Sequence, residues 1–148
     1  MSKKYIHYGH KHFDRTLFIP IRNCPSFTKP HGGLWASPVD AEFGWKEWCK
    51  QEDFRECNLN NSFTFTLSEN ARVLTILSVA GAKCLPQVRN EFALPWWVIP
   101  DFEKLVEQGY DAIELKLSND WGLYQALYGW DCDSIVVLNP DVIMEVSV

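Results

Sequence analysis

The clearest periodicity in the chain lies at Ser62-Phe63-Thr64-Phe65-Thr66-Leu67, where apolar and polar residues alternate without a break. A period of two puts Phe63, Phe65 and Leu67 on one face of a half-buried strand. A turn over Ser68-Glu69-Asn70-Ala71 leads into a second strand, 72–77. Shorter apolar segments bounded by turn residues predict more strands. They are 5–9, closing in a turn at Gly9; 33–37, between Gly32-Gly33 and Pro38; 111–115; and 134–138, stopped by Asn139-Pro140, with 142–146 after it. Helical spacing is weaker. Phe43, Trp45 and Trp48 predict a short amphipathic helix over 40–49, while 101–108, ended by Gly109 as a C-cap, and 121–128 predict two others. Residues 10–31, with prolines at 20, 25 and 30, predict a long ordered loop. Many short strands with a few small helices predict one compact α+β domain over residues 1–148. No repeat, linker, βαβ alternation or Gly-rich phosphate loop is present, which argues against Rossmann and P-loop chemistry.

Composition supports a folded domain. Hydrophobic residues make up 47% and charged residues 22% of 148, a globular usage too small to divide into two cores. Aromatics reach 14%, seven of them Trp, which implies a thick core, a stacking surface, or both. The net charge of −5 gives no general attraction to nucleic acid or to an anionic membrane. Its distribution is uneven: residues 1–30 carry six basic and one acidic residue, residues 101–148 two basic and ten acidic. Such a head and tail would line opposite sides of one cleft, or form two solvated faces. The start holds no apolar run of signal-peptide type, and no stretch approaches the roughly 20 apolar residues of a membrane span. Five cysteines (24, 49, 57, 84 and 132) form an odd set without C-x-x-C spacing. Together these predict a reduced, cytoplasmic setting.

Three constellations bear on chemistry. His7, His10 and His12 lie close enough to suggest a metal-dependent enzyme, but no carboxylate or Cys stands at ligand-like spacing. Cys84 and Cys132 are poor nucleophiles, since Cys84 has no signature and Cys132 lies between Asp131 and Asp133, whose charges raise a thiol pKa. The third set is His7 on the first strand, Trp35 and Ser37 on the second, and the acids of Trp130-Asp131-Cys132-Asp133-Ser134 before a late strand.

In that order the set resembles the ADP-ribosyltransferase superfamily. His7-Tyr8-Gly9 is similar to the family's opening strand, and Gly33-Leu34-Trp35-Ala36-Ser37 to its G-[LI]-[YFW]-x-[ST] strand. The strand pair 63–67 and 73–76, the Gly109-Tyr110-Asp111-Ala112-Ile113 step and the ending 135–143 continue the likeness over nearly the whole chain. The resemblance implies two small antiparallel or mixed β-sheets around an NAD cleft, with a few short helices and no metal. It implies cleavage of the nicotinamide–ribose bond and transfer of ADP-ribose to an acceptor, a protein first, with nucleic acid open and no membrane involved. Small members of this kind are often toxins or phage effectors.

The roles follow by resemblance. The carboxylate stabilises an oxocarbenium-like transition state, with Asp133 ranked first, then Asp131, then Glu114. The family's usual acid is Glu, so Asp in that slot must be carried closer to the ribose. Trp35 or Tyr8 would stack the nicotinamide, His7 would donate to a ribose hydroxyl, and Ser37 would bond within the strand or to the ligand. Gly9 belongs to the same opening motif, and Arg15, Arg22 or Lys29 would hold the pyrophosphate. The alternative is a non-catalytic protein-binding module on this scaffold, docking through Trp45, Trp48, Trp96, Trp97, Trp121 and Trp130.

Overall fold

A computed structural model describes residues 3–24, 28–54, 59–88 and 93–146. Seven strands are β1 (Tyr5–Tyr8), β2 (Leu34–Pro38), β3 (Ser62–Leu67), β4 (Val73–Ile76), β5 (Ala112–Leu115), β6 (Ser134–Val137) and β7 (Ile143–Glu145). They form one sheet in the order β4-β5-β6-β2-β1-β3-β7. Only β4 and β5 run parallel; every other neighbouring pair is antiparallel. Among the described residues four short α-helices accompany it: α1 (Trp45–Glu52), α2 (Val79–Lys83), α3 (Phe102–Glu107) and α4 (Leu123–Ala126). The fold is α+β.

The two small sheets expected around a cleft are joined into one, and β2 is the reason. Its first residues, Leu34, Trp35 and Ala36, pair with Val137, Val136 and Ile135 of β6. Its last residues, Ser37 and Pro38, pair with Ile6 and Tyr5 of β1. The β1–β2 ladder therefore stops at Ile6, while β1 continues alongside β3 as far as Tyr8 and Ser62. Beyond Ile6 the two strands part, so the continuous sheet still opens at its centre.

Alternation along the strands builds a core on each face. Val136, Ile113 and Leu115 join Trp130, Phe102, Leu105 and Leu127 on the helical side. Ile135, Val137 and Ala112 join Tyr5, Phe63 and Phe65 on the other. Caps set the bounds of α1 and α3. Asp101 accepts from the Lys104 N–H, 3.1 Å, and opens α3; Gly109, at φ +88°, follows its end. The helix expected over 40–49 begins later, because the Gly44 N–H donates to Glu47 Oε2, 3.1 Å, and caps α1 there. Among the described residues no helix is long and apolar enough to cross a membrane.

Candidate functional site

The opening between β1 and β2 is a hollow of about 240 Å³. His7, Tyr8, Lys29, Trp35 and Ser37, all singled out from the sequence, line it. Trp45, Trp130, Cys132 and Ser134 complete much of its wall. Trp35 meets the buried Trp130 edge-on, centroids 4.9 Å apart, which fixes the indole against the helical core. Ser37 secures the opposite wall. Its hydroxyl donates to the Asp133 carbonyl, 2.8 Å, and accepts from the Trp45 N–H, 2.9 Å. One serine thereby ties β2 to the start of β6 and to the first turn of α1, and its hydroxyl proton is committed to the protein.

His7 stands where the strands part. Its Nδ1 lies 2.6 Å from the Trp35 carbonyl oxygen, which can only accept, so Nδ1 carries the proton. Nε2 of the neutral ring is then an acceptor, and His10 Nδ1, 3.1 Å away, donates to it. Burial, with His10 alongside, holds the His7 pKa below its ordinary 6.5, opposed by the bond to Trp35. The expected role changes accordingly: a neutral His7 accepts from a ribose hydroxyl through Nε2 and does not donate to it. His7 also lines a neighbouring hollow of about 130 Å³ together with His10, His12, Phe13 and Phe63. Of the three clustered histidines, His12 turns instead to Glu145, 3.3 Å away.

The carboxylates separate. Asp133 does not enter the hollow; it lines a different one, of about 340 Å³, shared with Lys3, Asp40 and Glu114. Both its oxygens serve Ser118, accepting from the backbone N–H at 2.8 Å and from the hydroxyl at 2.7 Å. The reason is parity. Asp133 falls in step with Ile135 and Val137, whereas Cys132 and Ser134 fall in step with Val136 and face the opening. Glu114, 5% exposed, receives the Tyr5 hydroxyl at 2.6 Å and the Lys3 ammonium in the same remote hollow. That leaves Asp131, half-buried at φ +68°, one residue before the wall residue Cys132. Burial raises its pKa, Lys29 opposes that shift, and Glu52 adds to it. Burial also pushes the Cys132 thiol up to about 12, which leaves it protonated and inert.

Among the cations expected on a pyrophosphate, Lys29 alone lines the β1–β2 hollow. Its ammonium lies 4.4 Å from the Trp35 ring centre and 6.0 Å from that of Trp45. Arg15 pairs with Asp141 on the surface, and the Arg22 backbone bridges to His31. Gly9, at φ +121°, closes β1 by donating its N–H to the Asn61 carbonyl, 2.7 Å. The tryptophans proposed for docking divide as well. Trp130 is buried, Trp45 and Trp48 stack on each other at 5.1 Å, and Trp97 stacks on Tyr128 at 6.1 Å. Trp96 and Trp121 are 54% and 58% exposed.

Sequence reasoning missed Trp45, Cys132 and Ser134 as walls of the hollow. For the last two a signal existed, since counting back by twos from Val136 reaches both. The placement of Trp45 rests on the cap at Gly44 and had no such signal. Comparison of this chain with family models, with curated proteins and with solved structures finds no match.

Proposed function

We propose that the protein is a mono-ADP-ribosyltransferase that takes NAD in the β1–β2 hollow and passes ADP-ribose to a macromolecular acceptor, a protein first. The observation that supports this reading is the convergence of His7, Tyr8, Trp35, Ser37 and Lys29 on one hollow at the point where the central strands part. Trp35 offers a ring face for the nicotinamide. His7 Nε2, exchanging its His10 partner for a ribose hydroxyl, orients the sugar. Asp131 replaces Asp133 as the acid. When ionised it stabilises positive charge developing on the ribose as the C–N bond breaks and nicotinamide leaves with the electron pair. The acceptor's lone pair then forms the new bond to the anomeric carbon, and its proton passes to Asp131, whose raised affinity for a proton suits it to receive one. A role as an effector acting on a host component follows from the resemblance.

The test is transfer from labelled NAD into a cell lysate, with release of free nicotinamide measured in parallel. Wild type is expected to label a discrete acceptor. Asp131→Ala should lower transfer by about 100-fold or more with an unchanged melting temperature. Neither label nor nicotinamide release from wild type would sink the reading, and full activity in Asp131→Ala would remove that residue from it.

A second reading, a non-catalytic docking module, has its own support. The positions of the β6 segment that face the hollow hold Cys132 and Ser134, not carboxylates, and Trp96 and Trp121 are exposed. A pure docking module gives no heat on titration with NAD, whereas the transferase does.

A further inference from the structure

Lys29 lies where a flat ligand would lie. Its ammonium is within the roughly 6 Å reach of cation–π attraction to two indoles at once, Trp35 at 4.4 Å and Trp45 at 6.0 Å. One face of Trp45 is already covered by Trp48, stacked at 5.1 Å and 19°. The backbone beneath Lys29 is pinned. Thr28 is fully buried, its hydroxyl donates to the Tyr128 carbonyl, and its own carbonyl accepts from Trp130 Nε1 at 3.3 Å. On the far side, His31 exchanges backbone bonds with Arg22 at 2.8 and 2.9 Å. Emptying the space beside the indoles means swinging the lysine side chain away, and Lys29 is partly exposed. Asp131 lies within electrostatic reach of the same ammonium.

We propose that the Trp35–Trp45 slot is a binding site for a flat organic cation, with the Lys29 ammonium as an internal stand-in that the ligand displaces. A neutral ring entering the slot stacks on the indoles but forfeits the attraction that Lys29 had with them and with Asp131. A cationic ring replaces both, so the slot selects by charge. The choice of a pyridinium as the natural cation rests on the transferase reading. On that reading the slot favours the oxidised dinucleotide over the reduced one, and Lys29 acts as a gate in place of the phosphate ligand expected from sequence.

The probes are 1-methylnicotinamide, a pyridinium cation, and nicotinamide, its neutral counterpart, titrated into the full chain by calorimetry. Neither carries a phosphate, so any phosphate role of Lys29 does not enter. Wild type should bind the cation at least about tenfold tighter than the neutral ring. Lys29→Gln, which keeps most of the stem and removes the charge, should bind the cation about tenfold tighter than wild type does. Trp45→Leu should erase the preference, with near-UV circular dichroism checking the fold; Trp45→Phe, should the leucine variant fail to fold, should weaken it. Equal affinities for the two probes, no binding of either, or weaker cation binding by Lys29→Gln would overturn the proposal. Cation binding without any transfer from NAD upholds the slot and sinks the transferase. Transfer without a charge preference does the reverse.

Discussion

The imidazole of His7 is held on both nitrogens, by the Trp35 carbonyl and by His10. Because its folded pKa lies below 6.5, the unfolded chain binds more protons between that lowered value and 6.5. The stability His7 contributes is therefore complete above pH 6.5 and is lost as pH falls through the folded value. The urea midpoint of wild type should drop between pH 7.5 and 5, and His7→Gln should show a smaller drop. Asp131, whose folded pKa is raised above 3.8, works in the opposite sense at lower pH, but it is common to both chains and cancels in the comparison. Asp133 carries a different consequence. Its carboxylate holds Ser118 by two bonds, so Asp133→Ala strands a partly buried N–H and should cost about 1–3 kcal/mol in urea denaturation. The ranking of Asp133 over Asp131 in the sequence relied on nearness to a strand. Alternation takes Asp133 away from the hollow but does not separate it from Asp131, which has the same parity; the left-handed backbone at Asp131, φ +68°, breaks the period there and gives no signal in the pattern.

At the scale of elements, β2 is set by two glycines. Gly32 and Gly33 have φ of +78° and +74°, a region that costs an L-residue roughly 1–2 kcal/mol. A Cβ on Gly32 would lie 2.4 Å from the Pro20 carbonyl oxygen and 2.7 Å from that of Ile19, both backbone atoms that cannot step aside cheaply. Gly32→Ala should destabilise by about 2–5 kcal/mol, read from the urea midpoint, by adding this clash to the strain. Strands such as β2 and β3 were legible because apolar residues between turn formers leave few other conformations, and β3 spans the very residues whose alternation stood out. Helix α2 was not legible: Val-Ala-Gly-Ala-Lys has no amphipathic period, and the turn forms because Ser78 caps Gly81 at 3.0 Å and Asp120 accepts the Val79 N–H at 3.0 Å. The Ser78 cap is local, but the Asp120 anchor depends on a residue distant in sequence meeting Val79. The single sheet was hidden for the same reason. Local alternation marks β2 as a strand but does not say that its first half pairs with β6 and its second half with β1.

Across the whole molecule, the uneven charge joins the two ends of the chain. Among the described residues Lys3 pairs with Glu114 and Arg15 with Asp141, and His12 Nδ1 lies 3.3 Å from Glu145, in each case a basic residue from the head with an acid from the tail. Topology makes this possible: β1 lies beside β3, β3 beside β7, and the Phe13 N–H donates to Glu145 at 2.9 Å. The segregation read from sequence as two walls of a cleft or two solvated faces is thus largely a seam, with Lys29 as the head cation that reaches the hollow. The pairs differ in what they contribute. Arg15 and Asp141 are both well exposed, where water and salt screen the attraction, so Arg15→Ala should leave the urea midpoint within measurement error. Lys3 is half-exposed but its partner Glu114 is buried, and without the ammonium that carboxylate retains, among the described residues, the Tyr5 hydroxyl. Lys3→Met should therefore destabilise by about 1–3 kcal/mol, and added salt should shrink the difference between the two variants little, because a buried charge is weakly screened. Equal midpoints for Lys3→Met and Arg15→Ala would mean that the seam is only a solvated face.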